Sequence, residues 1–159
     1  MSPAPTGAER AALYELSLGY AAAADALDGP GYAAVFTDDG ELVVPDPHGS
    51  GTPTVVRAGR EKLERTPAGL AGYRRTHHAI WSAEYDVDGD RATGLVAGVA
   101  HHLTPDVTGG ATGGLDAVWY LRYVDEYERR GAGWLLSRRT LEVRDIEERR
   151  IHHIGPGRP

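Results

Sequence analysis

The chain has 159 residues, a formal net charge of −6 and no cysteine. The length and an apolar content of 41% fit one soluble domain with a hydrophobic core. The acidic balance argues against a nucleic-acid partner, no stretch reaches the ~20 apolar residues of a membrane span, and the lack of cysteine excludes disulfides and thiolate chemistry.

The first residues lack the basic and apolar segments of a secretion signal, so we expect a cytoplasmic protein. We predict one domain over residues 1–159, with a core at about 8–145 and a flexible tail at each end.

A long, largely buried helix is predicted at the N-terminus. Thr6 and Glu9 match a capping box, and Gly29-Pro30-Gly31 should end the helix near Leu27. Apolar residues occupy two stripes that leave only a narrow solvent side, so the helix should lie in the concave face of a sheet. Asp25 ends one stripe and is predicted to point inward; alternatively, it caps the glycine segment or pairs with an arginine.

Short elements follow this helix, and long strands follow them. The predicted order is a helix at 32–36 with Asp28 as its N-cap, a turn at 37–40, a strand at 41–44, an irregular loop at 45–58, one or two helical turns at 60–65 and a connection at 66–73. Strands are predicted at 75–86, 91–104, 115–129 and 134–143, with a glycine-rich crossing at 105–114 that is a candidate lid, a charged segment at 145–150 and a tail from 151. This order predicts the α+β class: a cone-shaped α+β barrel whose strongly curved antiparallel sheet wraps around the N-terminal helices.

Two histidine doublets lie at the same end of the predicted hairpin. His77-His78 begins its first strand, and His101-His102 ends its second. Side chains alternate along a strand, so only one histidine of each doublet can face a cavity. A turn with an odd number of residues pairs His78 with His102, whereas a two-residue turn puts His101 beside His78. We favour His102 and interpret His77 and His101 as solvent or interface residues.

An inward aspartate beside an inward histidine predicts proton transfer. Burial raises the pKa of a carboxyl group and a charged imidazole lowers it, so Asp25 and His78 could exchange a proton near neutral pH. Tyr20 could stabilise an enolate, or it could simply pack in the core. His102 is the second acid/base candidate.

The predicted pocket wall is apolar and aromatic, which indicates a hydrophobic small-molecule substrate. The candidate substrate-binding residues are Ile80, Ser82, Val96, Trp119, Leu121 and Tyr123. On the opposite face of the third long strand lie Val118, Tyr120 and Val124, and so apolar an exposed face predicts a homodimer.

Other chemistries fit the sequence less well. Only one histidine of each doublet on a strand can point toward a shared metal ion. No H-x-H or H-E-x-x-H pattern occurs either, so no metal is predicted. Ser82 and Ser137 lie within strands without a G-x-S-x-G elbow, which disfavours a serine hydrolase. No glycine motif opens a helix for a nucleotide, and no cofactor is predicted. Arg138 and Arg139 are interpreted as a surface pair, although one of them could point inward.

Three motifs follow one another along most of the chain. They are Tyr20-x4-Asp25-x2-Asp28 before Phe36-Thr37-Asp38-Asp39, Thr76-His77-His78 ahead of Asp88-Gly89-Asp90, and Tyr123-x-Asp125 before Gly133-Trp134. Together they resemble the SnoaL-like branch of the NTF2-like superfamily, whose fold hosts polyketide cyclases, dehydratases, isomerases and noncatalytic domains.

The resemblance also implies roles for individual residues. Tyr20, Asp25 and His78 resemble the constellation of the bile-acid dehydratases, and His102 resembles a second histidine of scytalone dehydratase. Ser82 stands where relatives often carry asparagine, so no side-chain amide is expected to act at this position of the pocket.

These observations predict a cofactor-independent acid/base enzyme, a lyase of the dehydratase or polyketide-cyclase type in secondary metabolism. A double-bond isomerase of the same fold is one alternative, and a noncatalytic ligand-binding or dimerisation module is another. A separation of Asp25 and His78 beyond about 6 Å would favour the noncatalytic module, because acid/base partners need hydrogen-bond reach.

Overall fold

The computed structural model describes residues 4–45, 53–105 and 113–154. Its helices are α1 (Gly7–Ala26), α2 (Gly29–Ala34), α3 (Arg60–Glu64) and a 3-10 turn at Pro67–Leu70. Its strands are β1 (Phe36–Pro45), β2 (Pro53–Ala58), β3 (Arg75–Asp88), β4 (Arg91–Leu103), β5 (Gly114–Arg130) and β6 (Gly133–Ile151). No helix within the described ranges is long and apolar enough to cross a membrane.

Helix α1 begins at the predicted capping box. The Thr6 hydroxyl accepts from the Glu9 backbone N–H at 3.2 Å, and the Glu9 carboxylate accepts from the Thr6 N–H at 2.9 Å. Leu13, Tyr20 and Ala21 are buried and Tyr14 is partly buried, but Leu18 is 38% exposed, so the predicted second apolar stripe packs except at Leu18. The reason is that the sheet covers only one side of the helix.

Helix α1 ends at Ala26, as predicted within one residue, but Gly29-Pro30-Gly31 do not end it, because they form the first turn of α2. Leu27 caps α1 with a left-handed backbone at φ 57°. The Asp28 carboxylate accepts from the Gly31 N–H at 3.0 Å, which confirms Asp28 as the N-cap of the second helix.

The six strands form one sheet in the order β2-β1-β6-β5-β4-β3. All neighbours are antiparallel except β1 and β6, which are parallel. The prediction of an antiparallel sheet misses this one pair, because β1 and β6 are joined through all the intervening elements and a connection that long allows parallel pairing.

Three segments that were predicted as irregular are strands. Residues 37–40 belong to β1, residues 53–58 form β2 against β1, and residues 145–150 belong to β6. The end of β6 pairs with the start of β5, with Gly114 opposite Ile151. Its residues from Glu147 to Arg150 are exposed, so no apolar alternation marks this strand in the sequence.

Bulges bend the long strands around α1. Trp81 in β3 has no partner on β4, and Ser137 and Arg144 in β6 are skipped in the pairing with β5. Bulges increase the local twist and bend a strand. The hydrophobic core lies between α1 and the concave face, and the molecule has the predicted cone-shaped α+β fold. The candidate lid falls largely on residues 106–112, which lie outside the described residues.

Candidate active site

Asp25 does not line the inner cavity, but it is in direct contact with His78, which does. His78 Nδ1 lies 2.7 Å from Asp25 Oδ1, and the His78 backbone N–H donates to Asp25 Oδ2 at 2.8 Å. The Thr76 hydroxyl donates to Asp25 Oδ1 at 2.9 Å. The carboxylate therefore holds both the backbone and the ring of His78, and a proton kept on Nδ1 leaves Nε2 as the basic nitrogen.

A bulge decides which face of the sheet His78 occupies. The hairpin turns on two residues, with Asp88 opposite Arg91, and this alone would pair even-numbered residues with odd-numbered ones. The unpaired Trp81 shifts the pairing by one residue, so His78 lies opposite Ala100.

The bulge brings His78 and His102 to the same face, although they are not a direct pair as predicted. His102 lies opposite Thr76, and the two imidazole rings are 6.1 Å apart between centroids. His77 pairs with His101 on the outer face. The predicted face is therefore correct, but the predicted odd-numbered turn is wrong, because the bulge and not the turn sets the parity.

His102 is held as a neutral imidazole. It is 5% exposed, and its ring lies between those of Tyr73 and Trp119, at 4.9 Å from each. Its Nδ1 donates to the Ala117 carbonyl at 3.3 Å, which leaves Nε2 as an acceptor. Burial and the nearby charge of His78 lower the pKa of His102 below its ordinary value.

Asp25 is held as a carboxylate. Partial burial acts to raise the pKa of Asp25, but the hydrogen bonds and charge of His78, together with the Thr76 hydroxyl, bring the pKa below its ordinary value. An ionised carboxylate beside Nδ1 accepts the hydrogen bond of that ring nitrogen and fixes the tautomer of His78.

The cavity between α1 and the sheet has a volume of about 270 Å³. Both histidines lie in its wall, together with four of the residues that were singled out in the sequence: Tyr20, Trp119, Leu121 and Tyr123. The 3-10 turn closes one side with Thr66, Pro67 and Leu70. The wall is apolar and aromatic, and none of its residues carries a carboxylate, ammonium or guanidinium group.

Three predicted pocket residues do not line this cavity. Val96 is completely buried in the core, and Ile80 packs against the core cluster. Ser82 is exposed, because the bulge at Trp81 reverses the alternation and turns Ser82 to the outer face. Ile80, Ser82 and Val96 therefore lie outside the lining of this cavity, and their contact with substrate stays a prediction.

Tyr20 packs against Arg139, which was predicted to form a surface pair with Arg138, with an inward position for one of the two as the alternative. Arg139 is 0% exposed, and its Cζ lies 4.4 Å from the ring centroid of Tyr20 and 4.3 Å from that of Tyr123. Asp125 accepts from Arg139 Nε at 2.8 Å and from Nη2 at 2.6 Å. Burial raises the pKa of Tyr20, so its phenol remains a hydrogen-bond donor.

Some site residues could have been found in the sequence and others could not. Thr76 alternates with His78, and Arg139 alternates with the apolar Leu141, so strand periodicity places both on the inner face. Tyr73 lies in the connection before β3, where no periodicity applies.

Within the described ranges, no group of three His, Asp or Glu side chains is arranged to hold a metal ion.

Comparison with known proteins places this geometry in a family. The model of the SnoaL-like domain matches residues 6–140. No curated protein matches the chain. Among solved structures, a protein of unknown function from Mycobacterium tuberculosis is 26% identical, with a TM-score of 0.69 over 86% of this chain and 72% of that chain.

Two further structures are similar in fold. A candidate scytalone dehydratase from Novosphingobium aromaticivorans is 21% identical, with a TM-score of 0.73 over 96% of this chain and 93% of that chain. The LinA-type3 hexachlorocyclohexane dehydrochlorinase from Novosphingobium barchaimii is 21% identical, with a TM-score of 0.73 over 94% and 96%. The family model covers most of the described cone, and the chain belongs to the SnoaL-like domain family, with the NTF2-like fold.

Proposed function

We propose that this chain is an acid/base lyase that eliminates water from a small, uncharged, hydrophobic hydroxy-carbonyl compound of secondary metabolism. The observation that carries the proposal is the 2.7 Å contact between Asp25 and His78 Nδ1, with His78 in the cavity wall. This separation is far below the 6 Å limit set above, so the noncatalytic alternative loses its geometric support.

The first step is the removal of a proton from the carbon next to the carbonyl group. His78 Nε2 is the base, because Nδ1 is engaged by Asp25 and the carboxylate stabilises the imidazolium that forms. The Tyr20 phenol can donate to the developing enolate oxygen, since Tyr20 lines the same cavity.

The second step breaks the bond between carbon and the leaving hydroxyl group. The imidazolium of His78 returns its proton to that hydroxyl, water departs and a carbon–carbon double bond forms. Neutral His102 lies on the same wall and can accept a hydrogen bond from the substrate through Nε2, which orients the molecule for both transfers.

The cavity supports the substrate class. About 270 Å³ of space lined by aromatic and aliphatic groups suits a molecule of one or two rings without a charged group. A candidate dehydratase and a dehydrochlorinase are among the proteins of similar fold, and both of their names describe eliminations. Cyclisation of a polyketide and double-bond isomerisation would begin with the same proton abstraction, and they are the alternatives.

The experiment measures elimination from a set of β-hydroxy ketones that carry one or two aromatic rings. Asp25→Asn should lower kcat by about 10²–10⁴-fold, the usual contribution of a positioned acid/base group. Asp28→Asn is the matched control, because Asp28 is three residues away and asparagine is also a good N-cap. Full activity of Asp25→Asn would contradict the proposal, and equal losses in both variants would point to damage to the fold.

A further inference from the structure

A second carboxylate–histidine pair lies on the outer face of the sheet, directly behind the cavity. Asp116 is 3% exposed, and its Oδ2 accepts from His101 Nδ1 at 2.8 Å and from Arg149 Nη2 at 3.1 Å. Its other oxygen, Oδ1, is buried, and no donor in the described part of the chain reaches it. A buried oxygen without a partner costs free energy, so this burial needs an explanation beyond an ordinary surface ion pair.

The pair connects the same two strands that hold His102. His101 precedes His102 on β4, and Asp116 precedes Ala117 on β5, where Ala117 lies directly opposite His102. Neighbouring side chains point to opposite faces, so the outer pair and the inner hydrogen bond from His102 to Ala117 are one residue apart on a shared ladder.

The inner hydrogen bond depends closely on that ladder. The distance from His102 Nδ1 to the Ala117 carbonyl is 3.3 Å, slightly longer than most N–H···O bonds. A small separation of the two strands would therefore break it, and the imidazole would lose the contact that keeps its proton on Nδ1.

Charges around His102 come from several elements. They are His78 on β3, Asp25 on α1 behind it, and Asp116 on β5, whose far side is covered by Arg149 of β6. Burial and the charge of His78 lower the pKa of His102, whereas the negative charge of Asp116 acts in the opposite direction. Tyr73 and Trp119 contact the ring without a formal charge.

We infer that Asp116 is a positioning residue for His102. Held on the outer face by His101 and Arg149, it fixes the pairing of β4 with β5 that keeps His102 Nδ1 on the Ala117 carbonyl, and it places a negative charge behind the ring. The catalytic meaning of this inference rests on the proposed function, in which His102 orients the substrate.

The test is a titration of the His102 ring signals by NMR, without any substrate. In Asp116→Asn, the titration midpoint should move to lower pH, because the imidazolium loses a favourable charge. The ring nitrogen shifts should change from one Nδ1-protonated form to a mixture of tautomers. His101→Val is a second variant, and it keeps the charge of Asp116. It should also give a mixture of His102 tautomers, but with a smaller change in the titration midpoint of His102.

Glu147→Gln is the matched control. Glu147 lies on the same outer face and accepts from Tyr120 at 3.1 Å, so this change removes an equal charge away from His102. An unchanged midpoint and tautomer in Asp116→Asn, or the same change in Glu147→Gln, would overturn the inference. Because no turnover is measured, a shift of His102 upholds the inference even if the elimination assay fails and the proposed function falls with it.

Discussion

At the scale of single residues, the Asp25 carboxylate accepts three hydrogen bonds, and each of them favours its charged form. Two come from His78, one from the ring and one from the backbone, and the third comes from Thr76. The same contacts that orient the imidazole thus keep its partner ionised, which is the condition for His78 to act as a base near neutral pH.

Asp25 should therefore contribute to stability in a pH-dependent way. The folded protein lowers the pKa of Asp25 below its ordinary value of 3.8, so the stabilisation is fully present above pH 3.8 and is lost as the pH falls through the pKa of the folded state. The free energy of unfolding of the wild type should exceed that of Asp25→Asn near neutral pH. The difference between the two free energies should become smaller in acid. Urea denaturation over this range measures it. A difference that does not change with pH would contradict the description of Asp25.

Alternation along the strands was enough to identify His78 and His102 as inward residues. It did not predict the cross-strand register that brings the two side chains to the same face. The unpaired residue in β3 is Trp81, and nothing in its neighbours Ile80 and Ser82 marks it as the bulge. Its position follows from the packing of β3 against α1 and β4, which is a tertiary property. For the same reason Ser82 was assigned to the wrong face of the sheet.

At the scale of elements, one buried side chain connects a helix and two strands. Arg139 on β6 donates to Asp125 on β5 and, at 2.9 Å, to the Ser17 hydroxyl on α1. Tyr127 also donates to Asp125, at 2.7 Å. The alternation of Arg139 with Leu141 indicates the inner face, but the pairing of Arg139 with Asp125 depends on the register of β5 with β6, which the sequence does not show.

Removal of this cation should be costly. Arg139→Met leaves Asp125 buried without its partner, and breaking a buried pair in this way costs about 3–5 kcal/mol of unfolding free energy. Arg138→Met is the matched control, because Arg138 is a neighbour whose ion pair with Glu41 lies on the surface and contributes about 0–1 kcal/mol. Chemical denaturation of both variants tests the difference. Equal effects would show that the buried network does not join the three elements.

At the scale of the whole molecule, the outer face of the sheet leaves large apolar groups in solvent. Trp81 is 58% exposed and Leu95 is 42% exposed, and the ring of Tyr120 lies 6.5 Å from that of Trp81. Val118, which was predicted to be part of this exposed surface, is 3% exposed, between its cross-strand neighbours His101 and Glu147. The apolar surface is thus shifted toward the bulged edge of β3.

We propose that two copies of the chain associate through this surface. Wild type should elute with twice the monomer mass in size-exclusion chromatography with light scattering. Trp81→Asp should favour the monomer, because it places a charge where apolar area would be buried. Glu148→Gln, at an exposed position, is the control and should leave the mass unchanged. A monomeric wild type would contradict the proposal.

The general outline of this molecule could be predicted from its sequence, because long alternating strands after a capped helix allow few architectures. Strand β2 and the end of β6 could not, since their residues form strands through pairing with neighbours and not through apolar alternation. The cavity wall was predicted where it lies on β5. The part contributed by the 3-10 turn was missed, because it comes from a segment without periodicity.

The central claim is that His78 removes a proton from carbon, and the fate of that hydrogen tests it most directly. With a β-hydroxy ketone that carries one phenyl ring and deuterium on the carbon next to the carbonyl group, the wild type should release deuterium to water and react more slowly than with the unlabelled ketone. His77→Ala, which changes the exposed neighbour on the outer face, should do the same. His78→Ala should slow the release of deuterium by about 10²–10⁴-fold with an unchanged circular-dichroism spectrum. Release at the wild-type rate in His78→Ala would contradict the claim.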